Sequence, residues 1–453
     1  MVENEKGLSR QCAEYIVNLR YEDLGGDTVS SAKRYVLDWL GCVLAGSATP
    51  AASMIGGLAE EMGGNPHSTM IGSFRKSSVL QSAMVNGYNC HILEMDDVHK
   101  NSITHPAAPV ISAAFSLAEK LGSSGRDLLT AIVAGYDVMI RIGEAVTPSH
   151  YRIWHTTATC GPFGSAAAAA KLLGLDGKQT LDALGNAGSQ AAGLWEFATD
   201  KAMTKFMHCG NGARNGLFAA LMASRGFTGA QRILEGDRGF FRATSKETDE
   251  WEHFGDLNES FRINEVSIKP YAACRHAHGA INGALELRSR HGLVPGEVES
   301  IVVETYSNAT RMAGNTGCGS EQEAKFSTAF CVASALIYGK LGPREFSEEA
   351  RTNPLTRELA SRVKLVAAED LDALHPRKWP TRIRIRTKSG SEYAHFVEYP
   401  KGDPENPVSD RELEEKFLDL AGQVLSRDQS STLCGRCRVL ENLDDAKGFF
   451  AGF

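Results

Sequence analysis

The sequence predicts a mainly α protein with an α+β part: a large all-helical domain built from the N- and C-terminal parts of the chain, and a smaller α+β lid domain. Three observations predict it. Apolar residues recur at helical spacing from Leu8 to about residue 265. From about residue 266 the texture changes. Ser300-Ile-Val-Val-Glu-Thr-Tyr reads as a strand, and Arg382–Thr387 and Glu392–Tyr399 alternate as a hairpin around a Lys388-Ser-Gly turn. After Gly402-Asp-Pro-Glu-Asn-Pro-Val, which reads as a linker, helical spacing resumes, opened by a capping box of Ser409 and Glu412. The domain assignment is therefore 1–265 with 403–453 for the helical domain, and 266–402 for the lid.

At 453 residues the chain is long enough for two domains. A net charge of −7 argues against a nucleic-acid surface, which needs a basic stripe. The N-terminus, Met-Val-Glu-Asn-Glu-Lys-Gly, has no apolar signal core, and no stretch reaches a membrane span. The ten cysteines lack framework spacing, as in a reduced cytoplasmic protein. Cys434 and Cys437 form one close pair without the second pair that a zinc site needs.

In order along the chain, Leu8–Leu19 and Val29–Leu40 read as helices, then Ser78 to about Cys90. His91-Ile-Leu-Glu-Met-Asp-Asp-Val-His-Lys-Asn-Ser-Ile-Thr-His105 gathers three histidines and three carboxylates. On a helix Glu94 and Asp97 would share a face, and Asp96 and Lys100 would form a surface ion pair. Mixed histidine and carboxylate ligands also describe a metal site, but the spacing matches no metal motif. Pro106 then starts a helix over Ala107–Lys120, which leaves His105 at its threshold. Arg126–Val146 reads as a core helix. His155 precedes a Thr, Ala and Gly run that feeds an alanine-rich helix, either close to a ligand or as a buried, satisfied imidazole. Leu181–Ala198 reads as helical. Thr199–Gly216 reads as a glycine-bearing loop with Lys205, His208 and Arg214, entering a helix over Leu217–Arg225.

The densest cationic stretch is Ser267-Ile-Lys-Pro-Tyr-Ala-Ala-Cys-Arg-His-Ala-His278, which holds Lys269, Cys274, Arg275, His276 and His278 and runs into a helix over 276–291 closed by Gly292. Glu323–Tyr338 reads as helix and Val363–Ala367 as strand. If the loops bearing His105, His155, Lys205 with His208, and Lys269 converge, they form a site for a di- or tricarboxylate. Removing a proton beside a carboxylate loads negative charge onto it, which lysines and histidines stabilise, and a histidine near neutral pKa can take the proton. There is no Rossmann fingerprint, P-loop or nucleophile elbow, and no iron–sulfur cysteine cluster.

At these residues the sequence resembles the MmgE/PrpD family. The matching stretches are Leu93-Glu-Met-Asp-Asp-Val-His with Thr104-His-Pro, Trp154-His-Thr-Thr-Ala-Thr-Cys-Gly-Pro-Phe-Gly, and Thr204-Lys through Gly210-Asn-Gly-Ala-Arg-Asn-Gly. Lys269-Pro-Tyr-Ala-Ala-Cys-Arg-His, Glu323-Ala-Lys-Phe-Ser and Pro400-Lys-Gly-Asp-Pro-Glu-Asn-Pro follow. The resemblance implies a cofactor-independent, metal-free cytoplasmic homodimer with its active site between the two domains. It also implies His105, His155, Lys205 and Lys269 as active-site positions, with His276 beside them. Glu94, Asp97, His208, Cys274, Arg275 and His278 are the expected substrate-binding groups. In the decarboxylase branch an aspartate and a threonine fall where Glu94 and Val98 stand here, and a histidine falls near Cys274. Those departures weigh against the decarboxylase and leave a dehydratase or an epimerase open; the expected activity is a hydro-lyase resembling 2-methylcitrate dehydratase. The alternatives are an epimerase or isomerase resembling iminodisuccinate epimerase, a decarboxylase resembling cis-aconitate decarboxylase, or a non-enzymatic carboxylate-binding protein.

Overall fold

The structure is a computed structural model that describes residues 7–200, 202–247 and 250–453. The polar N-terminal stretch read above lies, through residue 6, outside the described residues. The chain forms two compact units. The larger comprises Met1–Ile92, Asp96–Val266 and Asp410–Phe453; the smaller comprises Ser267–Ser409 together with Leu93–Met95. The architecture is mainly α with an α+β part.

The core of the larger unit is carried by helices Gly25–Ser47, Val79–His91, Ala107–Leu121, Gly125–Val146, Thr156–Leu172 and Thr204–Ala223. Gly125–Val146 shows why they form. Ser124 caps it by accepting from the Asp127 N–H, and every residue from Leu128 to Val146 is buried. A helix buried on all sides is an interior helix, so its apolar residues need no single stripe. The charged residues within it are paired: Arg141 meets Asp137 at 2.9 Å and also donates to the carbonyls of His253 (2.7 Å) and Ser260 (2.9 Å). These contacts tie the segment before residue 262 to the helix. The helix Asp410–Ala421 returns to this unit, where Lys416 pairs with buried Asp38. Among the described residues no single helix is long and apolar enough to cross a membrane.

The smaller unit is built on a four-stranded sheet in the order Val363–Ala367, Val298–Thr305, Thr381–Thr387, Glu392–Val397. The first pair is parallel and the others antiparallel. Alternate residues Ile301, Val303, Ile383 and Ile385 turn to one face and pack with Ala280, Ala284 and Leu287 of helix His278–His291 and with Val332 and Leu336 of helix Thr328–Tyr338.

Several expectations are corrected. Thr204–Ala223 is one helix, so Lys205, His208 and Arg214 stand on it rather than on a loop. Its Gly210 is a packing residue, since a Cβ there would come within 2.5 Å of the Met84 carbonyl. The helix expected to end at Ala198 instead spans Gly177–Gly188. Residues 93–97 are not helical, so Glu94 and Asp97 share no helix face, and Asp96 and Lys100 are buried rather than a surface pair. The helix expected over 323–338 is broken into Glu321–Lys325 and Thr328–Tyr338. The linker at 402–408 belongs to the smaller unit, and its Asp403 is fully buried. Cys434 and Cys437 are buried on helix Arg427–Arg438 with thiol pKa raised by burial, which keeps them protonated and unreactive. All ten cysteines are free and only Cys318 is partly exposed.

Candidate active site

In the larger unit the structure brings together His91, His105, His155 and His208. Their ring centroids follow one another at 4.7 Å (His105–His91), 6.0 Å (His91–His155) and 5.3 Å (His155–His208). Each ring is placed by a helix end or a helix face. His91 ends helix Val79–His91, His155 caps helix Thr156–Leu172, and His208 lies on helix Thr204–Ala223, close to one turn after Lys205. His105 precedes helix Ala107–Leu121, and its backbone N–H donates to the Thr157 hydroxyl at 3.0 Å.

The hydrogen bonds fix what these rings can do. His105 donates Nδ1–H to the Asp97 carbonyl at 2.6 Å, so in the neutral ring Nε2 carries the lone pair of a base. His91 donates Nδ1–H to the Asp96 carboxylate at 2.7 Å. His155 and His208 meet through their Nδ1 atoms at 3.1 Å. When both are neutral, one Nδ1 carries the proton and the other accepts it. One of the pair then offers a basic Nε2 and the other an Nε2–H donor. The charges push in one direction. Burial lowers the His155 pKa well below the ordinary value, and Lys205, His208, His91 and His105 lower it further. Burial, His91 and Lys205 bring His208 down to about 4. These groups resist protonation first because they are buried and then because their neighbours are cations or other imidazoles, and an anion placed among them would offset the second effect.

Asp97 serves this set from behind. Its carboxyl accepts from the Ala107 N–H (3.0 Å) at the start of the helix and from the Tyr136 hydroxyl (2.8 Å). Burial and Asp96 raise its pKa well above the carboxylate range. It therefore anchors the His105 segment, and both its oxygens are already engaged. The ligand atoms of His91, Asp96 and His105 lie within 4.8 Å of one another, the geometry of a possible cation site, although Asp96 already accepts from His91. His99, Glu144 and Glu265 make a second such group, but there the Arg262 guanidinium already bonds both Glu144 and Glu265 at 3.1 Å.

In the smaller unit the remaining predicted residues are placed differently. Lys269 is fully buried, with Nζ 3.9 Å from the Glu94 carboxylate, and Glu94 adopts a positive φ of 57°. Arg275 pairs with Asp403 and donates to His278 Nδ1 at 3.0 Å, while His278 donates Nε2–H to the Ala273 carbonyl at 3.1 Å. Arg275 and His278 thus hold each other and the 402–403 turn. His276 lies apart from them, stacked on Trp379 at 4.5 Å, with Nδ1 2.7 Å from the Tyr306 hydroxyl. Its pKa is lowered to about 3 by burial, then His375, Arg275 and Arg311. Cys274 is buried, and its backbone N–H donates to the Lys325 carbonyl at 2.9 Å. Sequence reasoning missed Asp403 and Tyr306, because the partner of a buried cation or imidazole carries no local sequence signal. It also missed Trp195 and Phe197, whose rings approach His155 and His208 to 5.0 and 5.4 Å.

Known proteins resemble this chain over nearly its whole length. The chain is 27% identical to cis-aconitate decarboxylase of Aspergillus terreus over 97% of its own length and 94% of the relative's. It is 28% identical to the human cis-aconitate decarboxylase over 97% and 93%. It is also 26% identical to a cis-aconitate decarboxylase-like protein, oryM, of Aspergillus oryzae, over 99% and 97%. The family models for the MmgE/PrpD N-terminal and C-terminal domains match residues 10–252 and 271–437. With nearly the whole length matched, this chain belongs to the MmgE/PrpD family.

Proposed function

We propose that the protein is a lyase acting on a tricarboxylate, and that its reaction is decarboxylation of cis-aconitate or a close analogue. The observation that carries the reading is the row of four buried imidazoles, with Lys205 on the same helix as His208, into which a multiply charged anion would bring the negative charge that favours their protonation. The curated relatives favour decarboxylation. This prefers the decarboxylase alternative over the expected 2-methylcitrate dehydratase, although Glu94, Val98 and Cys274 depart from the decarboxylase pattern.

The chemistry suits the groups. In cis-aconitate the CH₂-bound carboxylate leaves as CO₂, and the electrons of the broken C–C bond form a new terminal C=C. The pair of the old double bond moves to the carbon beside the distal carboxylate, where a proton is added. Cations lower the cost of that developing charge, and an imidazole protonated by the presence of the substrate supplies the proton. A trianion and one proton thus become a dianion and CO₂. The two reactions differ in their products, and this difference provides the test. Purified protein is incubated with cis-aconitate, and separately with 2-methylcitrate, while NMR spectra and released CO₂ are followed. Decarboxylation releases CO₂ and gives a terminal methylene signal. Turnover of 2-methylcitrate without CO₂ release would instead restore the dehydratase reading.

A further inference from the structure

Trp195 stands on the segment that follows helix Gly177–Gly188 and runs across His155. Two backbone hydrogen bonds fix that segment. His155 N–H donates to the Gly193 carbonyl at 2.9 Å, and Trp195 N–H donates to the Ile153 carbonyl at 3.0 Å. Gly193 permits the approach: its φ is 147°, and a Cβ there would fall 2.3 Å from the Ala158 Cβ and 3.4 Å from the His208 ring. The resulting register turns Trp195 and Phe197 toward the histidines, while Leu194 and Glu196 beside them are exposed.

The indole Nε1 is buried, and among the described residues no hydrogen-bond acceptor meets it. Burying a donor without an acceptor is costly, and a phenylalanine would fill the same space without that cost. A rigid N–H donor held beside imidazoles is what a carboxylate ligand would use.

We infer that Trp195 contacts the substrate: its indole N–H donates to a carboxylate of the tricarboxylate bound beside His155. His155 is only 1% exposed, so the cover formed by residues 189–200 swings aside to admit the ligand and closes with Trp195 against it. The inference rests on the polycarboxylate reading above and deepens it by naming a residue that positions and selects the substrate.

The test uses the full chain and tricarballylate, a saturated tricarboxylate, as the probe. Trp195→Phe keeps an aromatic ring and removes the donor together with part of the indole. The expected result is a calorimetric Kd for tricarballylate about tenfold or more weaker than wild type. KM for the turned-over substrate should rise more than kcat falls, with Tm unchanged or higher. Trp195→His, which restores a ring N–H, should recover part of the affinity. A Kd and KM within twofold of wild type in Trp195→Phe would overturn the inference and leave wild-type turnover, and hence the functional reading, standing. Should the variant fail to fold, hydrogen exchange of the wild type decides the matter: residues 189–200 should gain protection with tricarballylate, and no gain overturns the inference. A wild type that neither binds tricarballylate nor turns over any tricarboxylate sinks the functional reading itself.

Discussion

The two groups of histidines and cations in this protein are handled in opposite ways. In the larger unit the charges and imidazoles face one another, and the pKa values of His155 and His208 are depressed in part by that crowding. In the smaller unit Arg275 is matched by Asp403, His278 is bonded at both nitrogens, and Lys269 faces Glu94. The first arrangement keeps its imidazoles uncharged beside a lysine, and a bound anion would favour their protonation. The second is largely balanced internally. Basic residues that look alike in sequence therefore divide into a set suited to a ligand and a set that holds its own fold. Lys269 is the member whose role mutation must decide.

The comparison can be broken most easily at Asp403. Asp403→Ala leaves Arg275 buried without its carboxylate and is expected to cost about 3–5 kcal/mol of stability, measured by urea unfolding. A loss below about 1 kcal/mol would show that Arg275 is not held by this pair. Next in size, His155→Ala and Lys269→Ala should each lower turnover by about 10²-fold or more, with circular dichroism unchanged. A near-wild-type rate in either removes that residue from the mechanism.

A third, smaller effect is set by pH. His208 and His150 are held near 4 in the folded chain, while an unfolded histidine titrates near 6.5. Between those values the unfolded state binds protons that the native state refuses, so stability falls as the pH drops from about 6.5 toward 4. The urea midpoint should follow that slope, and His208→Gln should flatten it; an identical slope in the variant would mean that His208 titrates normally. The smallest expected effect is none. Exhaustive chelation should leave activity unchanged, and activity that is lost and then restored by a divalent ion would make His91, Asp96 and His105 a ligand set.

Much of the fold was legible because periodicity reports burial directly. Core helices such as Gly125–Val146 and the 381–397 hairpin follow from the spacing of apolar residues. The loop expected over 199–216 failed for a physical reason. Gly210, Gly212 and Gly216 read as loop residues because glycine weakens an isolated helix, yet here the helix is kept by neighbours that need its smooth face. The same limit applies to the site. His105, His155, Lys205 and His208 could be picked out by residue type and position, and the structure gathers His105, His155 and His208 with His91 in one ring row. Which cations are already satisfied depends on residues such as Asp403, more than a hundred positions away from Arg275.

The cysteine distribution offers an experimental handle. Nine thiols are sequestered and Cys318 alone is partly open to solvent. A thiol-reactive dye should therefore label the native chain at one place in the smaller unit. Additional labelling at a given denaturant concentration would report, cysteine by cysteine, the order in which the interior opens.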